Sequence, residues 1–169
     1  MIIIRPIRAE EIPTAKHVIF SVAYGLYGWT GSLEENIRRF DSSEEFKDMD
    51  NVDVHYFQND GLFLAAFDDE TLVGSGAIRK LDPKIAELKR MWLLESYHGQ
   101  GIGYRIITQL FEFARAKQYE QVLLQTSPEQ TRALNFYRRL GFHEMDCYNG
   151  KAKETSMGIV LSEAPLTKK

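Results

Sequence analysis

The sequence predicts a single α/β domain, one mixed sheet flanked by helices. Three observations predict it. Short apolar runs bounded by turn residues alternate with stretches of helical periodicity, a glycine cluster joins one such run directly to a helix, and 169 residues suit one domain. With 44% apolar and 27% charged residues, the composition is that of an ordinary folded protein, neither disordered nor a disulfide scaffold.

Ile2-Ile3-Ile4 reads as a short buried strand, and Arg5 to Pro13 turns into a first helix with acidic residues at its positive end. Ile12, Ala15, Ile19, Val22 and Ala23 keep three and four spacings along it. The glycine and aromatic segment Tyr24 to Trp29 then reads as a loop. Ser32 with Glu35 three residues on has capping-box spacing and starts a second helix, and a further helical turn is expected after Asp41. Gly61 to Phe67 and Leu72 to Lys80, joined by the polar turn Asp68 to Thr71, form a hairpin. Gly74 and Gly76 in its second strand mark a bulge or close packing.

Ile85 to Leu94 is the next strand. The glycines 99, 101 and 103 then open a helix from about Ile102 to Lys117, with Ile102, Ile106, Leu110 and Phe113 at helical spacing. Gln121 to Thr126 is a strand. Ser127-Pro128-Glu129-Gln130 predicts a helix start, and the helix ends at Leu140 before Gly141 as a left-handed cap. Phe142 to Met145 and Ser156 to Leu161 complete the sheet. The domain is taken as residues 1–161, with 162–169 expected as a loose tail.

Lys plus Arg number 21 against 24 Asp plus Glu, a net charge of −3, so there is no basic field to gather nucleic acid, and any anionic ligand must be held locally. The lone Cys147 has no intramolecular disulfide partner, and the opening Met-Ile-Ile-Ile-Arg is too short an apolar run for a signal peptide. The longest apolar run, Leu62 to Phe67, is far short of a membrane span. A cytoplasmic protein with no membrane partner is the expectation. His17, His55 and His143 show no metal-ligand spacing, so no metal is expected.

The strongest chemical signal is the strand that feeds a glycine turn and then a helix, because that arrangement aims backbone N–H groups and a helix dipole at an anion. The dinucleotide fingerprint fails, since Tyr104 and Ile106 stand where its third glycine belongs. Walker A fails too, because Gly103 is followed by Tyr104 and Arg105. On spacing alone, a tight turn with no ligand stays open. Within the preceding strand, Glu87, Lys89 and Arg90 break the rule that a covered central strand is apolar. Alternation places Glu87, Lys89, Met91 and Leu93 on one face, with Glu87 pointing into a cleft at the far end from the glycine turn. A carboxylate so placed can serve as a general base. A salt-bridged Glu87 without a role is the alternative. Asp48, Asp50 and Asp53, with Glu87, favour a cationic ligand unless they are solvated surface.

His98-Gly99-Gln100-Gly101-Ile102-Gly103 resembles the signature of the GCN5-related N-acetyltransferases (GNAT): Gln or Arg, two residues, Gly, one residue, then Gly or Ala. Ile3 to Pro6, Leu72 to Ala77 and Ala133 to Phe142 resemble the family's opening strand, hairpin return and last helix. His98 departs from the usual Gln or Arg. The resemblance implies acetyl-coenzyme A as co-substrate and no metal. Its pyrophosphate would lie on the amides of Gly99, Gly101, Ile102 and Gly103, within the His98 and Gln100 signature. Its pantetheine arm would pair with Met91 and Leu93 and meet Asn135. Tyr137 is implied as general acid toward the coenzyme A thiolate, and the loop of Tyr24, Tyr27 and Trp29 as the acceptor side of the cleft, although these residues equally suit a packed corner. Toward an alkyl amine, pKa ~10.4 and almost wholly protonated at neutral pH, Glu87 is the candidate base. The implied reaction is direct acetyl transfer, in a ternary complex, to a primary amine of a small molecule. A non-catalytic acyl-coenzyme A sensor and an enzyme acting on protein lysine or N-termini stay open, as does a homodimer.

Overall fold

A computed structural model describes residues 1–164. These form seven strands in one sheet: β1 (Ile2–Pro6), β2 (Leu62–Asp68), β3 (Thr71–Asp82), β4 (Ile85–Leu93), β5 (Gln121–Thr126), β6 (His143–Met145) and β7 (Thr155–Val160). The spatial order is β1-β2-β3-β4-β5-β7-β6. Every pairing is antiparallel except β4 with β5. That parallel pair is short, running from Ile85 opposite Gln121 to Leu88 opposite Leu124.

Period-two alternation sorts the apolar strand residues onto two faces. Phe63, Ala65, Phe67 and Ala77 pack against α1 (Ile12–Tyr27) and the segment holding α3 (Lys47–Asp50). Leu64, Ala66, Ile78, Ala86 and Leu88 pack against α4 (Ile102–Ala116) and α5 (Thr131–Leu140). The remaining helix, α2 (Leu33–Asp41), begins at the expected capping box, with Ser32 and Glu35 each bonding the other's backbone.

Several expectations change. α1 continues through Tyr24 and Tyr27, and Gly28, at φ 59°, takes the left-handed cap, so the aromatic segment is mostly the last helical turn rather than a loop. α5 starts at Thr131, because Ser127 to Gln130 closes a β-turn, with the Gln130 amide 3.0 Å from the Ser127 carbonyl. The helical turn expected after Asp41 is present as a 3-10 turn, Glu44–Phe46, that runs into α3, and a single π-helical turn, Asp53–Phe57, follows before Gly61. Of the expected tail, Ser162 to Ala164 is an ordered turn that buries Ala164; residues 165–169 lie outside the described residues.

One correction matters for the site. Register passes from Ala77 opposite Lys89 to Ser75 opposite Trp92, so Arg90 and Met91 together face Gly76 in a β-bulge, with Arg90 at φ 56°. The extra residue reverses the alternation. Glu87 and Lys89 lie on the α1 face, whereas Met91 and Leu93 lie on the α4 face and Trp92 joins the α1 cluster. The four residues therefore do not share one face. The glycine pair makes room for this: a Cβ on Gly76 would lie 2.5 Å from Met91 Sδ and Ile106 Cγ2, and one on Gly74 would lie 2.7 Å from Leu93 Cδ1.

Candidate active site

Beyond Leu88, β4 continues to Leu93 without β5, whose later residues pair only with β7. The two strands open into a wedge. The Leu94 amide turns toward β3, 2.9 Å from the Val73 carbonyl, so strand geometry turns the Leu93 and Met91 amides toward the side that β5 has left. A cavity of about 370 Å³ lies along the free end of β4, with Met91 and Leu93 on one wall, Phe136 and Tyr137 of α5 on another, and Val22 and Leu26 of α1 closing the side.

The glycine turn lies at the wide end. Gly99 and Gly101 both have φ of 76°, a conformation glycine adopts without the penalty of a Cβ. Among the described residues, no protein acceptor takes the amides of Gly99, Gln100 or Gly101. Those of Ile102, Gly103 and Tyr104 open α4, where a helix leaves its first N–H groups free. A row of unpaired donors and the positive end of a 15-residue helix thus border the cavity.

His98 fits the same picture. Its Nε2 lies 3.0 Å from the Leu93 carbonyl, an acceptor, so Nε2 carries the hydrogen; its Nδ1 is buried with no partner. An orphaned buried nitrogen at the cavity wall, open cradle glycines and unpaired amides match what a phosphate-bearing, amide-rich cofactor needs. Gln100 does not join them, since its side chain is exposed and donates to the Ser96 carbonyl at 3.2 Å. Asn135 also lies outside the cavity. It borders a separate outer depression with Thr131, Arg132 and Arg139, and accepts from Arg138 at 3.2 Å.

Tyr137 is buried, and its ring packs on Phe136 and Phe142 at 5.5 and 5.6 Å. Its hydroxyl has no hydrogen-bond partner among the described residues, and burial pushes its pKa well above the usual 10. It borders the cavity as a protonated donor. Of the expected acceptor wall, Tyr27 accepts from Gln130 Nε2 at 2.8 Å, tying the end of α1 to the β5–α5 turn. Tyr24 donates to the Gly31 carbonyl, and Trp29 packs on Phe40 at 4.6 Å, so these two brace the corner.

Glu87 is buried. Arg79 approaches its Oε1 at 3.1 Å and Tyr148 donates to its Oε2 at 2.8 Å. Tyr148, from the β6–β7 loop, is a site residue that sequence reasoning missed. That loop is held over β5 by Asn149 and Gln125 at 2.7 Å. Burial, and the Glu87 charge after it, raises the Tyr148 hydroxyl far above its ordinary value. No periodicity signals a loop tyrosine, and only the three-dimensional meeting with Glu87 reveals it.

The family profile described as the acetyltransferase (GNAT) family matches residues 29–142, more than half of the chain, including the wedge strand, the cradle and α5. This protein belongs to the GNAT family. Its sequence is 34% identical over 102 residues to human N-acetyltransferase 8B, covering 56% of this chain and 44% of that protein. It is 30% identical over 97 residues to the N-acetylaspartate synthetase of Xenopus tropicalis, covering 56% of this chain and 36% of that one. The matched stretch thus spans less than half of these GNAT relatives. The same fold is seen in the crystal structure of the PaiA N-acetyltransferase of Thermoplasma acidophilum in complex with coenzyme A, at 24% identity and a TM-score of 0.76, covering 95% of this chain and 99% of that one.

Proposed function

We propose that this protein transfers an acetyl group from acetyl-coenzyme A directly to a primary amine of a small molecule while both substrates are bound. The observation that carries this reading is the free end of β4, where Met91 and Leu93, the α4 N-terminus and Tyr137 border one cavity. Acetyl-coenzyme A supplies an activated thioester. Amides of Gly99, Gly101, Ile102 and Gly103 would hold its pyrophosphate, and His98 Nδ1 would find a partner along its length. The Met91 and Leu93 amides would pair with its arm as an added strand. A donor aimed at the thioester oxygen is worth about 3 kcal/mol of transition-state stabilisation.

Tyr137 protonates the leaving sulfur, because burial keeps its proton in place at neutral pH. Glu87, oriented by Arg79 and Tyr148, takes the amine proton through water. The coenzyme A complex of the PaiA protein and the product named in N-acetylaspartate synthetase support a coenzyme A donor and a small acceptor.

Calorimetry with acetyl-coenzyme A, followed by thiol release against amines, amino acids and a lysine peptide, tests the reading. Micromolar binding with release on a small amine is the expected result. Binding without release on any acceptor would establish a sensor instead. No binding would overturn both.

A further inference from the structure

We propose that the acceptor carries a carboxylate beside its amine and that Lys89 binds that carboxylate, an assignment that rests on the acetyltransferase reading above. Lys89 is the first residue of β4 past its last pairing with β5, at the vertex of the wedge. It lies on the α1 face with Glu87, two residues away and therefore about 6.6 Å along the strand. Trp92, on the same face, reaches the cavity wall.

Lys89 is partly buried, yet among the described residues no acid lies in salt-bridge range of it and it makes no hydrogen bond. The charges that act on it are Glu87, Arg79, Arg90 and Asp48. Both carboxylates are already engaged, Glu87 by Arg79 at 3.1 Å and Asp48 by Arg90 at 2.5 Å. Three cations against two anions leave this cluster at +1, and the unmatched charge is Lys89. Burial, opposed by Glu87 and reinforced by the arginines, pushes its pKa below the ordinary value. Charged groups are rarely withdrawn from water without a partner, and one left unmatched where β4 parts from β5, next in sequence to the cavity-lining stretch that starts at Met91, marks a candidate ligand site.

The missing partner is not the pyrophosphate of the cofactor, whose cradle lies past Leu93 at the other end of the strand. Nor does the acidic cluster draw a cation, since Asp48 is engaged by Arg90 and Asp50 by Lys16 at 2.6 Å. An amine near Glu87 with a carboxylate near Lys89 satisfies both ends.

The test compares acceptors that differ only by the carboxylate: phenylalanine with phenethylamine, norleucine with pentylamine, and lysine with cadaverine. Wild-type protein is expected to favour the carboxylate member by about tenfold or more in kcat/KM, the scale of one charge-assisted pair. Lys89→Met should erase that preference while leaving the plain amine within about twofold, and Lys89→Arg should keep most of it. Calorimetric binding of the N-acetylated amino acid should weaken about tenfold in Lys89→Met. Thermal melting should not fall in Lys89→Met, since Lys89 has no hydrogen bond or ion pair to lose among the described residues and Met keeps its apolar stem. A wild-type preference for the plain amines, or a carboxylate preference that survives Lys89→Met, would overturn the assignment. If acetyl-coenzyme A binds but no amine turns over, the transferase reading fails and binding of the acetylated amino acid alone decides the role of Lys89; absence of that binding overturns it.

Discussion

Arg90 grips Asp48 at two points, Nε to Oδ2 at 3.0 Å and Nη2 to Oδ1 at 2.5 Å, with both side chains less than a tenth exposed. Arg90 is also the residue whose positive φ makes the β4 bulge. Ser75 Oγ donates to its carbonyl at 2.7 Å, Tyr56 donates to Asp48 at 2.5 Å, and the guanidinium lies 4.6 Å over the Phe46 ring. The bulge that turns Met91 and Leu93 toward the cavity is therefore fastened from behind by α3 and the turn after it.

Removing one partner of that pair leaves a buried charge uncompensated, which costs about 3 to 5 kcal/mol. Asp48→Ala is expected to lose stability on that scale in denaturant titration and to weaken acetyl-coenzyme A binding. Tyr56→Phe, which deletes one hydrogen bond and leaves the ion pair, is expected to lose roughly 1 to 2 kcal/mol.

Acid sensitivity follows from the same carboxylate. Burial alone would raise the Asp48 pKa, but the hydrogen bonds and charge of Arg90 outweigh it and hold the group at about 2. The unfolded value is about 3.9, so the folded state favours the carboxylate, with a contribution of about 2 to 3 kcal/mol. That stability is complete above about pH 5 and is lost as the pH falls through 4 toward 2. Unfolding free energy measured across this window should decline in the wild type and flatten in Asp48→Asn.

Gly76→Ala should disturb the cofactor wall without unfolding the chain. The new methyl would meet Met91 Sδ and Ile106 Cγ2 at 2.5 Å, and overpacking of this kind costs about 1 to 3 kcal/mol. Met91 is the side chain able to move. The expected result is a raised KM for acetyl-coenzyme A with a modest drop in melting temperature.

Tyr137→Phe separates chemistry from packing. Its hydroxyl has no internal partner to lose, so stability and acetyl-coenzyme A affinity should stay close to wild type, while kcat falls by about 10² or more. Because burial holds this hydroxyl above its usual value, the loss should be uniform from pH 7 to pH 9.5. A loss confined to the alkaline side would reassign the proton donor.

The hairpin, the cradle and its helix were legible from the sequence because each rests on local patterns: alternation, glycine spacing and helical period. The face assignment of β4 was not. Alternation carries Glu87 and Lys89 onto the face of Met91 and Leu93 only if no residue is inserted, and the bulge depends on Asp48, 42 positions before Arg90. Tyr148 was hidden for the same reason, meeting Glu87 across 61 positions. Ser127 misled because a serine–proline pair starts turns as readily as helices, and here Glu129 and Gln130 close the turn before α5 begins.

The four-residue contact between β4 and β5 also makes the rigidity of this sheet conditional. Beyond Leu88 no strand pairs β4 on that side, so amides there turned away from β3 should exchange with solvent deuterium far faster than their neighbours. An occupant that bonds them becomes in effect an eighth strand, and at a hundredfold excess over its dissociation constant it adds about 2.7 kcal/mol to the folded state. Resistance to proteolysis would then follow the supply of the donor.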